Sequence, residues 1–370
     1  MTGPLEPGRF FLPGPTEVDP TVLAAQAVPL FGHRSAEASR LVGMIDRGLR
    51  PLFGTSRRVM IGTMSATGFM EAAVRAGVRS KVLCLVNGAF SSRFADIARG
   101  CGREVEVMEV AWGEVLDPDR VEERLAEGDV DAVTVAHSET STGALNPVEA
   151  LAEVVRRQDD VFLLVDSVTG VGGAEMAADD WGLDAVLTGS QKALAMPPGL
   201  AFCVASDRLL ERATALPDRG YYLDLVRYAS YAERDQIPTT PALTLLSAAA
   251  LQVERIALET VERRWARHAA LAARCHDWVT TVRADRGLGI SVLAREGYRS
   301  PTVTAVRLPE GRTGSEVAAA MRRRGFVIGA GYGQMKEATV RIGHMGDHTL
   351  AALDGLLDAL TEELCHPGVA

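Results

Sequence analysis

Six short apolar runs recur between residues 58 and 204, and their form constrains the fold more than anything else in the chain. They are Arg58-Val-Met-Ile61, Lys81–Val86, Asp131–Val135, Val161–Val165, Asp184–Leu187 and Leu200–Val204. Each is continuously apolar rather than alternating, which suits strands buried on both faces. Helical stretches such as Val148 to Arg157 separate most of them, so the pattern predicts a mainly parallel sheet covered by helices on both sides. Small ligands bind such sheets beyond the carboxyl ends of the strands. Those ends carry Ser65, Thr67, Phe90, His137, Thr140, Asp166 and Lys192, and this polar convergence predicts one small-ligand site on one edge.

Outside these runs, residues from Met1 to about Phe11 read as a Pro- and Gly-rich arm, and Leu12-Pro-Gly-Pro-Thr16 as a rigid turn. A helix is expected from Asp19-Pro20, with the aspartate as its cap. Phe31-Gly-His-Arg-Ser35 is a polar loop before a helix running to about Leu52. Gln236-Ile-Pro-Thr-Thr-Pro241 is a turn-rich loop before one long helical segment, Leu243 to Val282. Thr302–Arg307, a helix at Ser315 to Arg324, Val327-Ile328 and Thr339–Ile342 read as a small α+β unit, closed by a helix from about His348 to Leu364. The expected division is an arm (1–20), a large domain (21–258) and a small C-terminal domain (259–370).

At 370 residues and 47% hydrophobic composition the chain can build a sizeable core. A net charge of -9 argues against a nucleic-acid partner, and Arg322-Arg323-Arg324 reads as one face of a helix end. No apolar run is long enough for a bilayer, and the N-terminus lacks a secretory pattern. The five cysteines are odd in number, widely spaced and without a C-x-x-C pair, so a reduced cytoplasmic protein is expected.

Lys192 stands just past the strand Asp184–Leu187, in Thr188-Gly-Ser-Gln-Lys-Ala-Leu-Ala-Met-Pro-Pro-Gly199. An amine there attacks a carbonyl if its surroundings lower its pKa, whereas in water it is an ordinary loop lysine. Gly62 to Gly68 lies between a strand and a helix, which makes an anion site, most naturally for phosphate, or a plain capping turn. Asp166 ends an apolar strand, where a carboxylate needs a partner: a structural cap or a protonated ring nitrogen. Phe90 suits either the core or the cover of a flat ligand. Arg341 is a surface arginine or a bidentate grip on a carboxylate. Gly170-Val-Gly-Gly-Ala-Glu175 begins like a dinucleotide fingerprint but lacks its third glycine. His344, Asp347 and His348 make a weak metal set, with Asp347 read as the cap of the final helix; no metal site is expected.

Taken together, the chain resembles the class V aminotransferases, pyridoxal-phosphate enzymes of fold type I, over nearly its whole length. Among its members it resembles alanine–glyoxylate and serine–pyruvate (or serine–glyoxylate) aminotransferases. The resemblance rests on Pro13-Gly-Pro-Thr16, Ser65-Ala-Thr67 with Glu71-Ala-Ala, Asn87-Gly88, Ser138-Glu-Thr-Ser-Thr-Gly143, Val165-Asp-Ser-Val168, Gly189-Ser-Gln-Lys-Ala193 with Pro197-Pro-Gly, and Arg341-Ile-Gly-His-Met-Gly346. It implies a large domain with a mainly parallel seven-stranded sheet. It also implies that Lys192 holds pyridoxal 5'-phosphate as a Schiff base and shuttles the substrate proton, while Asp166 pairs with the ring nitrogen. Phe90 stacks on the ring and Thr140 bonds its hydroxyl. Ser65, Ala66, Thr67 and Gln191 hold the phosphate, and Thr239 with Gln236 reaches it from a second subunit, which implies a homodimer with shared sites. Arg341 binds the carboxylate of a small amino acid or 2-oxo acid.

Within the same fold, a cysteine desulfurase needs a nucleophilic cysteine shortly before Arg341, and Gly325 to Val340 contains none. A phosphoserine aminotransferase is the other alternative, because His33-Arg34 resembles a pair that grips a substrate phosphate. Alanine or serine as donor, with glyoxylate or pyruvate as acceptor, is the expected chemistry. The loops Phe31 to Ser35 and Ala330 to Met335 are expected to select the side chain.

Overall fold

The computed structural model describes residues 6–365. The chain runs through β1 (Phe10–Phe11), α1 (Pro20–Ala24), α2 (Ala36–Phe53), β2 (Met60–Gly62), α3 (Ala66–Gly77), β3 (Lys81–Val86), α4 (Ala89–Gly100), β4 (Glu104–Glu109), α5 (Pro118–Leu125) and β5 (Ala132–Ala136). A small hairpin, β6 (Ser138–Glu139) and β7 (Ala144–Leu145), precedes α6 (Val148–Arg156), β8 (Phe162–Asp166), β9 (Ala185–Gly189), β10 (Ala201–Ala205), α7 (Asp207–Ala215) and α8 (Leu225–Ala232). Then come α9 (Leu243–Glu259), α10 (Val261–Arg286), β11 (Ser291–Val292), β12 (Val303–Arg307), α11 (Gly314–Arg323), β13 (Val327–Ala330), β14 (Thr339–Gly343) and α12 (Leu350–Cys365).

The large sheet has seven strands in the order β2-β10-β9-β8-β5-β3-β4. Strands β5, β8, β9 and β10 are buried along their whole length, as continuous apolar runs require. Only β10 runs against its neighbours. The segment joining it to β9 contains no helix, and a parallel return needs a crossover that such a short loop does not provide. The seventh strand is β4, Glu104–Glu109, whose charged, partly exposed positions mark it as an edge.

The second sheet, β1-β13-β14-β12-β11, has its own apolar cluster with α10, α11 and α12. Two local expectations change here. Phe10–Phe11 is not part of a free arm: it pairs in parallel with Val327 and Ile328, and Phe11 is fully buried. Two residues are too few to show a period. The long helix after residue 243 is two helices, broken at Thr260, whose φ of 68° is left-handed. No helix among the described residues is long and apolar enough to cross a membrane.

Candidate active site

At the carboxyl edge of the large sheet, β8 ends in Asp166 and β9 leads through Ser190 to Lys192. Adjacent parallel strands set the two side by side, with Asp166 in register with Leu187. The lysine loop is built tightly. Ser190 Oγ donates to Pro197 O (2.7 Å), and the Ala195 N–H donates to Lys192 O (2.8 Å). Ala195 takes φ 52°, a left-handed conformation costing about 1 kcal/mol for a residue with a Cβ. Surroundings hold it there: Arg264 Nη2 donates to Ala193 O (2.6 Å) and Gln252 Nε2 to Leu194 O (3.1 Å).

A cleft of about 330 Å³ opens over these strand ends. Lys192, Asp166, Ser65, Ala66, Thr67, Phe90, Thr140 and Gln191 all line it. Lys192 is 8% exposed, and Nζ donates to Pro13 O (2.5 Å). Burial, reinforced by the Arg341 charge, pushes its pKa down to about 8. Asp166 is 6% exposed; burial pushes its carboxyl up to about 6, against the pull of the Val168 N–H on Oδ1 (2.9 Å). Among the described residues it forms no salt bridge. Ser65 is the N-cap of α3, yet its hydroxyl makes no capping bond. That hydroxyl and the unpaired first-turn N–H groups are therefore free donors at one end of the cleft.

Arg341, on β14, approaches from the small sheet. Nε donates to Ala330 O (3.0 Å) and Nη1 to Thr140 O (3.4 Å), while burial lowers its pKa to about 10. Phe90 lies 5.8 Å from Lys192 Nζ, measured to the ring centroid. Thr140 Oγ1 shares a hydrogen bond with Thr169 Oγ1 (2.5 Å). His137, expected at this site, is instead buried behind it with Nδ1 3.0 Å from Ser167 Oγ, and does not line the cleft; His33, Arg34, Gln236 and Thr239 lie elsewhere in the chain. Arg34 donates to Ile237 O (2.7 Å) and Pro238 O (3.1 Å), and to Gln236 Oε1 (3.5 Å), so His33-Arg34 and the Gln236–Thr239 loop sit together rather than in this chain's cleft.

Several neighbours escaped sequence reasoning. Glu139 is fully buried and accepts from the N–H groups of Phe90, Ser91 and Ser141 and from two serine hydroxyls, fixing the Phe90 turn. It lay inside the Ser138–Gly143 motif, but nothing in that motif said which way it faced. Gly14, with φ 120°, lies so close to Lys192 that a Cβ would overlap its side chain. Asp347 does not cap the last helix, which starts at Leu350 with Thr349 Oγ1 accepting from the Ala352 N–H. Its carboxylate instead accepts from Gln252 Nε2 (3.0 Å) and Arg264 Nη2 (3.1 Å), because those buried donors outweigh an exposed helix start.

A mainly parallel seven-stranded domain, joined to a smaller α+β unit with a buried lysine and aspartate at the strand ends, is the architecture of fold type I pyridoxal-phosphate transferases. The class-V aminotransferase profile matches residues 52–335, and the chain belongs to that family; it is a transaminase. An uncharacterized aminotransferase of Methanocaldococcus jannaschii is 36% identical, covering 97% of this chain and 95% of its own. Serine–glyoxylate aminotransferase of Methylorubrum extorquens is 31% identical over 100% of this chain and 94% of its own. The crystal structure of alanine–glyoxylate aminotransferase from Nostoc superposes with a TM-score of 0.89 at 29% identity, covering 98% of this chain and 97% of that one.

Proposed function

We propose that this enzyme moves the amino group of a small amino acid, alanine or serine, to glyoxylate or pyruvate in a ping-pong cycle, with pyridoxal 5'-phosphate as its cofactor. The observation that carries this reading is a buried amine of lowered pKa sharing one cleft with a buried carboxylate that, among the described residues, forms no salt bridge. The residues fit the cofactor. Ser65 and the start of α3, with Ala66, Thr67 and Gln191, offer free donors for a phosphate. Asp166 suits a protonated ring nitrogen, Phe90 a flat ring and Thr140 a ring hydroxyl. Thr239, with Gln236, reaches the phosphate from a second copy, which makes the working unit a homodimer.

When bound, the cofactor acts as an electron sink for the bond broken at the substrate Cα. The chain's own residues do the rest. Lys192 Nζ would take the Cα proton and deliver it to the cofactor carbon within the same half-reaction, the transfer running in reverse in the second half, and a pKa near 8 lets one amine do both close to neutrality. Arg341 receives the substrate carboxylate. Its Nε and Nη1 are fixed on carbonyls, and among the described residues Nη2 makes no hydrogen bond. The two relatives of known activity named above share glyoxylate and differ in the donor, which supports the acceptor more strongly than the donor. Arg34 is occupied by carbonyls, which weighs against a phosphate grip, and burial raises the thiols of Cys84 and Cys203, which weighs against desulfuration.

The test is a half-reaction screen on the enzyme loaded with pyridoxal phosphate, following its visible absorbance and the oxo acid released. Alanine and serine are expected to bleach the band fastest. Lys192→Ala is expected to slow turnover by about 10²–10⁴-fold. Wild-type enzyme that bleaches faster with phosphoserine or cysteine, or a Lys192→Ala variant as active as wild type, contradicts the reading.

A further inference from the structure

The loop of residues 331–338, between β13 and β14, carries Tyr332 against Phe90 and Arg93, two residues that line the cleft. The tyrosine ring lies 5.3 Å from the Phe90 ring, centroid to centroid, with 30° between the planes. On another side, the Arg341 guanidinium carbon is 5.3 Å from its centroid. Arg93, which also lines the cleft, donates from Nη2 to Tyr332 Oη (3.4 Å). One aromatic side chain of this loop is thus near both the ring proposed to cover the cofactor and the guanidinium proposed to take the substrate carboxylate.

The backbone of this loop is closely tied. The Gly331 N–H donates to Thr339 O (2.8 Å) and Lys336 O (3.1 Å), and the Met335 N–H donates to Tyr332 O (3.0 Å). Thr339 Oγ1 closes the loop onto Met335 O (3.0 Å). A Cβ at Gly331 would overlap Met335 O and Thr339 Oγ1, and one at Gly333 would come within 2.9 Å of the Trp112 ring. Both glycines permit close packing that a side chain forbids.

We infer that Tyr332 is the specificity-determining residue of this enzyme: its ring is a fixed wall that limits the donor's side chain to a small one. The inference rests on the proposed placement of substrate between Arg341 and Lys192. With the carboxylate on Arg341 and Cα within reach of Lys192, the side chain of the amino acid meets the tyrosine. Arg93 engages the hydroxyl, which leaves the ring carbons as the part of the side chain that meets the substrate. A pocket edge of this kind discriminates by size, at about 10–200-fold per methylene that does not fit.

The experiment compares holoenzyme of wild type, Tyr332→Ala and Tyr332→Phe with alanine, serine, methionine and leucine as donors. The kcat/KM ratio of methionine or leucine to alanine is expected to rise about tenfold or more in Tyr332→Ala. Tyr332→Phe, which keeps the ring, is expected to stay within about twofold of wild type, since discrimination by a wall follows its volume. An unchanged ratio in Tyr332→Ala, with alanine still preferred and cofactor absorbance intact, overturns the wall and leaves the aminotransferase reading standing. Equal loss with every donor does the same, because a residue that merely joins the two sheets would slow all substrates alike. Wild-type enzyme that already favours methionine or leucine over alanine overturns the wall and the small-donor reading together, and leaves the transaminase standing.

Discussion

Asp166 and Lys192 are each held in a state that suits a ligand and strains the empty protein. Asp166 has its pKa raised from 3.8 to about 6 by burial. The folded state therefore disfavours the ionised carboxylate, by about 3 kcal/mol for a shift of this size. That penalty is absent below pH 3.8, grows through the interval to about 6, and is constant above it. Asp166→Asn is accordingly expected to raise the stability of the cofactor-free protein at pH 7–8 and not at pH 4, while weakening cofactor binding. Thermal melts of both forms at the two pH values check this. Lys192 works in the other direction: its pKa is lowered from 10.5 to about 8, so its penalty is present below pH 8 and fades as pH rises towards 10.5. Both residues were legible because a charged group ending an apolar run demands an explanation. Glu139 and Gly14 were not, since their roles depend on which distant segment packs against them.

At the scale of elements, the lysine loop depends on helices distant in sequence. Asp347, next to β14, orients Gln252 from α9 and Arg264 from α10, and these two hold the carbonyls just after Lys192. Arg264 is only 1% exposed, and its other acidic partner is Glu259 (2.7 Å). Removing Asp347 leaves buried donors short of an acceptor, a loss of about 1–3 kcal/mol. Asp347→Ala is expected to lower denaturant stability by that amount and to loosen the positive-φ turn at Ala195, which reads out as slower cofactor uptake. Unaltered uptake by a destabilised variant would confine Asp347 to a structural role. The reversal of β10 is settled at the same scale: its sequence is as apolar as its parallel neighbours, and only the short helix-free return decides its direction.

For the whole molecule, the cleft of one chain lacks the residues that the family resemblance assigns to its phosphate from a second subunit. Gln236 and Thr239 lie with Arg34 away from it, and large apolar side chains stand out in water, Leu30 at 78% and Tyr221 at 74% exposure. The proposed homodimer would bring the partner's copy of the Gln236–Thr239 loop to the phosphate end of the cleft. Light scattering is expected to give the mass of two 39.5 kDa chains, and Thr239→Val to weaken cofactor affinity without changing that mass. A monomer with full cofactor affinity contradicts the shared site.

The sequence by itself determined the layered sheet and the placing of Lys192 and Asp166 at its carboxyl edge, because burial on two faces and charge at a strand end are local patterns. Tertiary structure decided what surrounds them. Phe10–Phe11 joins the small sheet, Glu104–Glu109 closes the edge of the large one, Asp347 turns inward, and Tyr332, in the loop after β13, meets Phe90 of α4. Each of these depends on contacts between segments far apart in the chain, where the favourable energy of burying a group appears only once its partner has been brought to it.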